Sequence, residues 1–172
     1  MLSFAAAVFF LIITPGPGVL STAGVGAAYG TGPGLRYVAG LFVGNNIVLA
    51  AVITGLAAIL LSVPGVRWVL MGLSIAYLLY LAGKIAFAGT RIAFIEATSA
   101  PGMMAGILLQ PINPKAYAVN TALITGFAFY PASLAIETLT KLLIMNLIWI
   151  PVHLGWLWAG VTLHRPRASR GV

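Results

Sequence analysis

The chain has 172 residues, 61% of them hydrophobic and only 6% charged, with a mean hydropathy of +1.07. No water-soluble core of that length hides so much apolar surface, so the composition excludes a soluble globular domain and makes the lipid bilayer the expected solvent. The formal charge of +7 comes from nine basic residues, scattered singly between apolar runs rather than gathered into a stripe, which argues against nucleic acid as a partner. There is no cysteine, so disulfides, thiolate metal sites and thiol catalysis are excluded.

Met1 to Ala7 carries no charged side chain, and the hydrophobicity runs past any cleavage window, so the first segment is read as retained rather than as a signal peptide. A bilayer core about 30 Å thick takes roughly 20 apolar residues as a helix. Five runs of that kind appear in chain order. The first covers about 2–29 and is interrupted by Thr14-Pro15-Gly16-Pro17; the second covers about 36–62, after the turn-like Thr31-Gly32-Pro33-Gly34. Pro64-Gly65 predicts a tight turn before the third run, about 68–87. A polar stretch over 89–101 then leads to the fourth run, about 103–129, broken by Pro111-Ile112-Asn113-Pro114-Lys115, and the fifth covers about 139–162. The runs are continuous and lack the alternation of a lipid-facing strand, so the predicted fold is an all-α polytopic membrane helix bundle with about five crossings. The positive-inside rule puts the amino terminus outside and the carboxyl terminus inside, with Arg36, Lys84, Arg91, Arg165, Arg167 and Arg170 cytoplasmic against Arg67 and Lys141 outside.

Setting Pro15 on Pro114, an offset of 99 residues, brings the second run onto the fifth and the third onto the end of the chain. The hydropathy therefore reads as one transmembrane domain over 1–172 built from a three-helix unit used twice. Repeat one covers about 1–88, the linker about 89–101, and repeat two about 102–172, where it stops before its third helix. Two three-helix units with broken first helices are the pattern of inverted-repeat transporters, which hold substrate where the breaks meet.

Each Pro-containing break frees backbone carbonyls before it and amides after it, and the amides at the start of a half-helix suit a carboxylate. A structural kink is the bland alternative. Asn113-Pro114-Lys115 adds a cation midway along an apolar run, where a charge costs ~3 kcal/mol on insertion scales and is kept for a substrate, a counter-ion or a water-filled path; the alternative is a lysine snorkelling to the interface. Asn45 and Asn46, with Asn146 at the related place in the fifth run, either bond a zwitterion or glue helices. The spacings Gly26/Gly30, Gly40/Gly44 and Gly102/Gly106 are packing signals first, and Trp68, Tyr77, Tyr80, Trp149, Trp156 and Trp158 suit interfacial belts or helix packing. His153 and His164 have no partner at catalytic or metal-binding spacing, Glu96 and Glu137 fall in predicted loops, and no enzyme active site, metal site or cofactor is expected.

In order and spacing, Thr14-Pro15-Gly16-Pro17, Gly40-Leu41-Phe42-Val43-Gly44, Ala76-Tyr77-Leu78-Leu79-Tyr80-Leu81-Ala82-Gly83-Lys84 and Asn113-Pro114-Lys115 resemble the lysine exporter/homoserine-threonine exporter family of bacterial amino-acid efflux proteins. The resemblance implies an exporter of amino acids or their derivatives in the bacterial cytoplasmic membrane, driven by an ion gradient and dimeric. Two departures stand out. Members of that family commonly carry aspartate directly after the glycine matching Gly44, where this chain has Asn45, and their usual sixth helix is absent. The expected site comprises Thr14, Pro15, Gly16, Pro17, Asn45, Asn46, Asn113, Pro114 and Lys115, with Lys115 and the amides after Pro17 facing the amino acid's carboxylate. The rival expectation is a non-transporting membrane component that depends on partners for a missing helix.

Overall fold

The computed structural model describes residues 1–87 and 99–163. Arg91, Glu96, most of the expected linker and the basic residues after 163 lie outside the described residues. Among the described residues eight helices follow one another, α1 (Leu2–Ile13), α2 (Pro17–Tyr29), α3 (Thr31–Ile53), α4 (Leu56–Ser62), α5 (Val66–Ala86), α6 (Met103–Ile112), α7 (Pro114–Thr125) and α8 (Leu134–Leu163), and no strand occurs. The protein is the polytopic helical bundle that the composition requires.

Both expected breaks exist. α1 and α2 are separated by Thr14, Pro15 and Gly16 and meet at a bend of 53°. α6 and α7 are separated by Asn113 alone, and each has proline at or near its end: Pro111 inside α6 and Pro114 opening α7. Proline at the first helical position costs nothing, because the amide it lacks has no partner there anyway. By length and apolarity α3, α5 and α8 each suffice to cross a membrane, and α1 with α2 makes a fourth span. The expected count of about five treats α6 and α7, each too short to cross alone, as one broken span.

Three boundaries differ from expectation. Thr31-Gly32-Pro33-Gly34 is the first turn of α3 rather than a turn before it, since Pro33 falls where helical amides are unbonded; the reversal is made by Gly30 alone, at φ 78°. The second run is divided by Gly55, left-handed at φ 79°, into α3 and α4. The fifth run begins earlier than 139, because Ser133 accepts the Ile136 amide through Oγ and the Glu137 amide through its carbonyl, a serine N-terminal cap.

The helices pack crosswise. α3 lies along α6 and α7, and α8 lies along α2 and α1. Glycines allow the closest crossings: a Cβ on Gly40 would collide with the Met103 carbonyl, one on Gly106 with the backbone of Tyr37, and one on Gly160 with the Ala23 carbonyl. Gly44 belongs to the same seam, against the Ile107 carbonyl, whereas Gly102 has open space beside it. One apolar core gathers Val25, Tyr37, Leu41, Leu109, Trp149 and Leu157; a second gathers Phe4, Val8, Leu49, Leu123 and Met145. Outward-facing Leu20, Ile59, Leu79, Leu139, Leu143 and Leu147 form an apolar exterior suited to lipid. α5, with only Ser74 and Leu81 buried, is the most peripheral long helix.

Candidate functional site

The two breaks meet. Lys115, in the first turn of α7, extends across to α1, and its Nζ donates to the Thr14 carbonyl at 2.5 Å and, more weakly, to the Pro15 carbonyl at 3.5 Å. These are carbonyls that the end of α1 leaves without helical partners, and the C-terminal end of a helix attracts a cation. The lysine stem passes over Gly16, where a Cβ would come within 2.7 Å of its Cδ and 3.0 Å of its Nζ. Gly16 has extended backbone that any residue adopts (φ −168°), so a side chain there would displace the lysine stem rather than strain the torsion.

The breaks satisfy their backbone differently. At the second, the Asn113 side chain accepts the Lys115 amide at 3.1 Å, capping α7, while the Tyr117 hydroxyl donates to the Pro111 carbonyl at 2.9 Å. At the first, no side chain caps α2. Beyond Pro17, which has no amide hydrogen, the first-turn amides of α2 are therefore left to a ligand or to water.

Around this junction lies a cavity of about 60 Å³, room for roughly four waters. Thr14, Gly16, Asn45, Asn113 and Lys115 of the expected set line it, together with Gly18, Gln110, Asn120 and His153 and an apolar wall that includes Leu11, Val19, Val119 and Met145. Asn45 accepts from Asn120 Nδ2 at 3.2 Å, and Asn113 Nδ2 donates to Gln110 Oε1 at 3.4 Å, so the amides form short chains along one side. The Thr14 hydroxyl is committed to the Phe10 carbonyl at 2.6 Å.

Four expected residues stand outside the lining. Pro15 takes part only through its carbonyl, which receives the longer Lys115 bond. Pro17 and Pro114 open α2 and α7 and act through the backbone they shape. Asn46, one position from Asn45 and so turned about 100° around the helix, exchanges hydrogen bonds of 3.1 and 3.2 Å with Asn146, while each of the two amides also donates to its own helix, to the carbonyls of Phe42 and Leu142. That pair is the glue of the bland alternative.

One expectation about a charged residue is corrected. Glu137 is not in a solvated loop: it is 6% exposed in the first turn of α8, pairs with Lys141 at 2.7 Å and accepts the amides of Phe129 and Tyr130 at 3.0 and 2.6 Å. Burial of that carboxylate is repaid by a full set of partners, and the Glu-x-x-x-Lys spacing announces it in the sequence. His153, assigned no role from the sequence, lies beside the cavity. It is 3% exposed and stacks on Trp149 with centroids 3.5 Å apart. Gln110 and Asn120 were readable as members of the Asn113 face, three residues before it and seven after, a helical repeat that the break obscures. Among the described residues no group of three or more His, Cys, Asp or Glu is arranged to hold a metal ion.

A family model described as LysE type translocator matches residues 9–168. Among curated relatives, the chain is 26% identical over 155 residues to a leucine efflux protein of Klebsiella pneumoniae subsp. pneumoniae, an alignment covering 81% of this chain and 73% of that protein. It is 30% identical over 77 residues to a leucine efflux protein of an Enterobacter species, covering 45% of this chain and 36% of the relative. No solved structure matches. With the family model spanning nearly the whole chain, including both breaks and the cavity between them, the protein belongs to the LysE type translocator family.

Proposed function

We propose that this chain exports amino acids or amino-acid derivatives from the cytoplasm across the bacterial inner membrane, driven by an ion gradient, with leucine and related aliphatic amino acids as the first substrates to test. The relatives' naming as leucine efflux proteins supports the substrate class. The cavity supports it chemically: a carboxylate fits between Lys115 and the uncapped start of α2, neutral amides of Asn45 and Asn113 flank it, and Leu11, Val19, Val119 and Met145 offer an aliphatic wall. At about 60 Å³ the space takes the polar head of an amino acid, and a leucine side chain requires that wall to part.

The single observation that carries this reading is the Lys115 bond to the Thr14 carbonyl, which joins the two breaks at one point. The packing of α3 along the broken helix α6–α7, that of α8 along α1–α2, and the reciprocal Asn46–Asn146 pair between α3 and α8 support the inverted-repeat reading. Transport then proceeds by rocking one repeat against the other. The amino terminus lies outside, with Arg36 and Lys84 inside against Arg67; Lys141, being paired within α8, carries no weight in that comparison.

The test is efflux of labelled leucine from proteoliposomes under imposed proton and sodium gradients. Flux that depends on a gradient and is lost in Lys115→Ala supports export. Absence of flux for every amino acid tried, or unchanged flux in Lys115→Ala, overturns it.

One observation favours a second reading. Thr14 and Pro15 are exposed, and Phe9, Ile13, Pro151 and Trp156 line an apolar groove between α1 and α8. Backbone polar groups at membrane depth need cover from protein or water. In that reading another membrane helix, from a partner or from a second copy in a homodimer, completes the site, and the isolated chain in detergent binds no amino acid until the partner is supplied.

A further inference from the structure

Export as proposed gives the substrate's carboxylate a partner in Lys115 and leaves its ammonium group without one. The cavity contains no carboxylate side chain among the described residues. It does contain His153. The ring's Nδ1 lies 3.0 Å from the Trp149 carbonyl, and a carbonyl only accepts, so Nδ1 carries the hydrogen. In the neutral ring the lone pair is then on Nε2. That atom faces Gly18, 3.5 Å from where a Cβ would stand, with Gln110 Nε2 at the same distance, and among the described residues no protein group bonds it. Stacking on Trp149 at an interplanar angle of 14° fixes the ring's direction, so the lone pair is aimed into the cavity rather than free to turn away.

The two ends of the cavity are close. Lys115 lies over Gly16 and His153 over Gly18, and two residues of chain span at most about 7 Å. The carboxylate and ammonium of one amino acid hang from a single carbon, so a zwitterion can lie between these groups with each charge toward a matching partner.

We infer that His153 Nε2 is the acceptor for the substrate's ammonium group, and that a proton competes with the amino acid for this same lone pair. The inference rests on the amino-acid reading above and deepens it. No covalent bond is made: one proton bound at Nε2 removes the acceptor and adds a second cation beside Lys115, so the ammonium leaves; loss of that proton restores the acceptor. Occupancy by proton and by amino acid thus excludes one another, which is the minimum a carrier needs to exchange the two across a membrane. The groups facing His153 leave this competition uncluttered. α7 presents Lys115; α2, α3 and α6 present Gly18, Asn45 and Gln110, all neutral, and α1 carries no charged side chain. On α3, Arg36 is exposed and the Tyr37 hydroxyl is bonded to Ser21 at 2.9 Å. On α8 itself, Glu137 and Lys141 neutralise each other, roughly 18 Å or more along the helix.

The test uses the full chain in phosphatidylethanolamine/phosphatidylglycerol vesicles, with leucine as the probe, and two readouts. First, leucine affinity is measured against pH. One competing proton makes Kd rise about tenfold per pH unit below the point where the ring titrates, because linkage is reciprocal. In His153→Gln, whose amide oxygen still accepts but binds no proton at these pH values, Kd becomes independent of pH. Second, the chain has only two histidines, so the H164Q variant labelled with 15N-histidine reports His153 alone; saturating leucine should move the Nε2 resonance and leave Nδ1 nearly still. The second readout keeps His153 in place and stands even if the glutamine variant fails to fold. An unchanged pH slope in His153→Gln, or an Nε2 resonance indifferent to bound leucine, overturns the inference while leaving export intact. Failure of the unsubstituted chain to bind or move any amino acid overturns both.

Discussion

Two lysines, Lys141 buried and Lys115 half-buried, sit among these helices, and their surroundings are opposites. Lys141, 4% exposed, has the Glu137 carboxylate at 2.7 Å, the Ile124 carbonyl at 2.8 Å and a short bond to the Phe127 carbonyl, with the Phe129 ring beneath it. Its charge is neutralised and its three hydrogens are used. Lys115 has carbonyls only, one close and one at 3.5 Å, and it faces a cavity with no acidic side chain among the described residues. A buried cation with a complete shell ties segments together, here the end of α7 to the start of α8. On the proposed reading, the incomplete shell of Lys115 is completed by the substrate's carboxylate.

Removing each charge sharpens that contrast. Lys141→Ala breaks two charge-assisted bonds to carbonyls and leaves the buried Glu137 carboxylate without its cation, a cost of roughly 3–5 kcal/mol, and the expected result is a lower thermal midpoint with unchanged leucine flux per folded molecule. Lys115→Ala should do the reverse, lowering leucine efflux about 100-fold, or about 2.7 kcal/mol, while the thermal midpoint stays near that of the parent chain. If Lys115→Ala proves the more damaging to folding, the assignment of roles is wrong. Gly18→Ala is expected to cut flux roughly tenfold by placing a methyl group where substrate lies, with little change in melting, since a Cβ there meets nothing nearer than 3.5 Å. Asn146→Ala should cost about 1 kcal/mol of stability by leaving Asn46 with a single partner, readable in a urea or thermal melt. Smallest of all, replacing both Glu137 and Lys141 with Gln and Met should restore most of what Lys141→Ala loses, because a paired charge and a neutral pair of similar shape are nearly equivalent.

What the sequence yields here depends on how local the cause is. Proline forces a helix to open wherever it falls, so the breaks near Thr14 and Asn113 were readable from those residues alone. That Lys115 crosses to the other break is a tertiary fact, suggested by the matching depth of the two motifs but fixed only when α1 and α7 pack. Asn45 and Asn46 look identical in sequence, yet one turns to the cavity and the other to Asn146, a difference set by helix phase. His153 carried no signal because its partners are a backbone carbonyl on its own helix and residues of α2 and α6 more than forty positions away. Glu137 was misread for a simpler reason: starting the last helix at 139 hid its spacing from Lys141.

The Asn46–Asn146 pair has a mechanical consequence. Its two hydrogen bonds run in opposite directions between α3 and α8, and each amide is also tied to its own helix. If the two halves of the bundle tilt against each other, this doubly tied point moves least and serves as the fulcrum, while displacement grows with distance from it. Spin labels placed beside it on α3 and α8 should keep their separation through the transport cycle, and labels near Ser62 and Tyr130 should register the full swing.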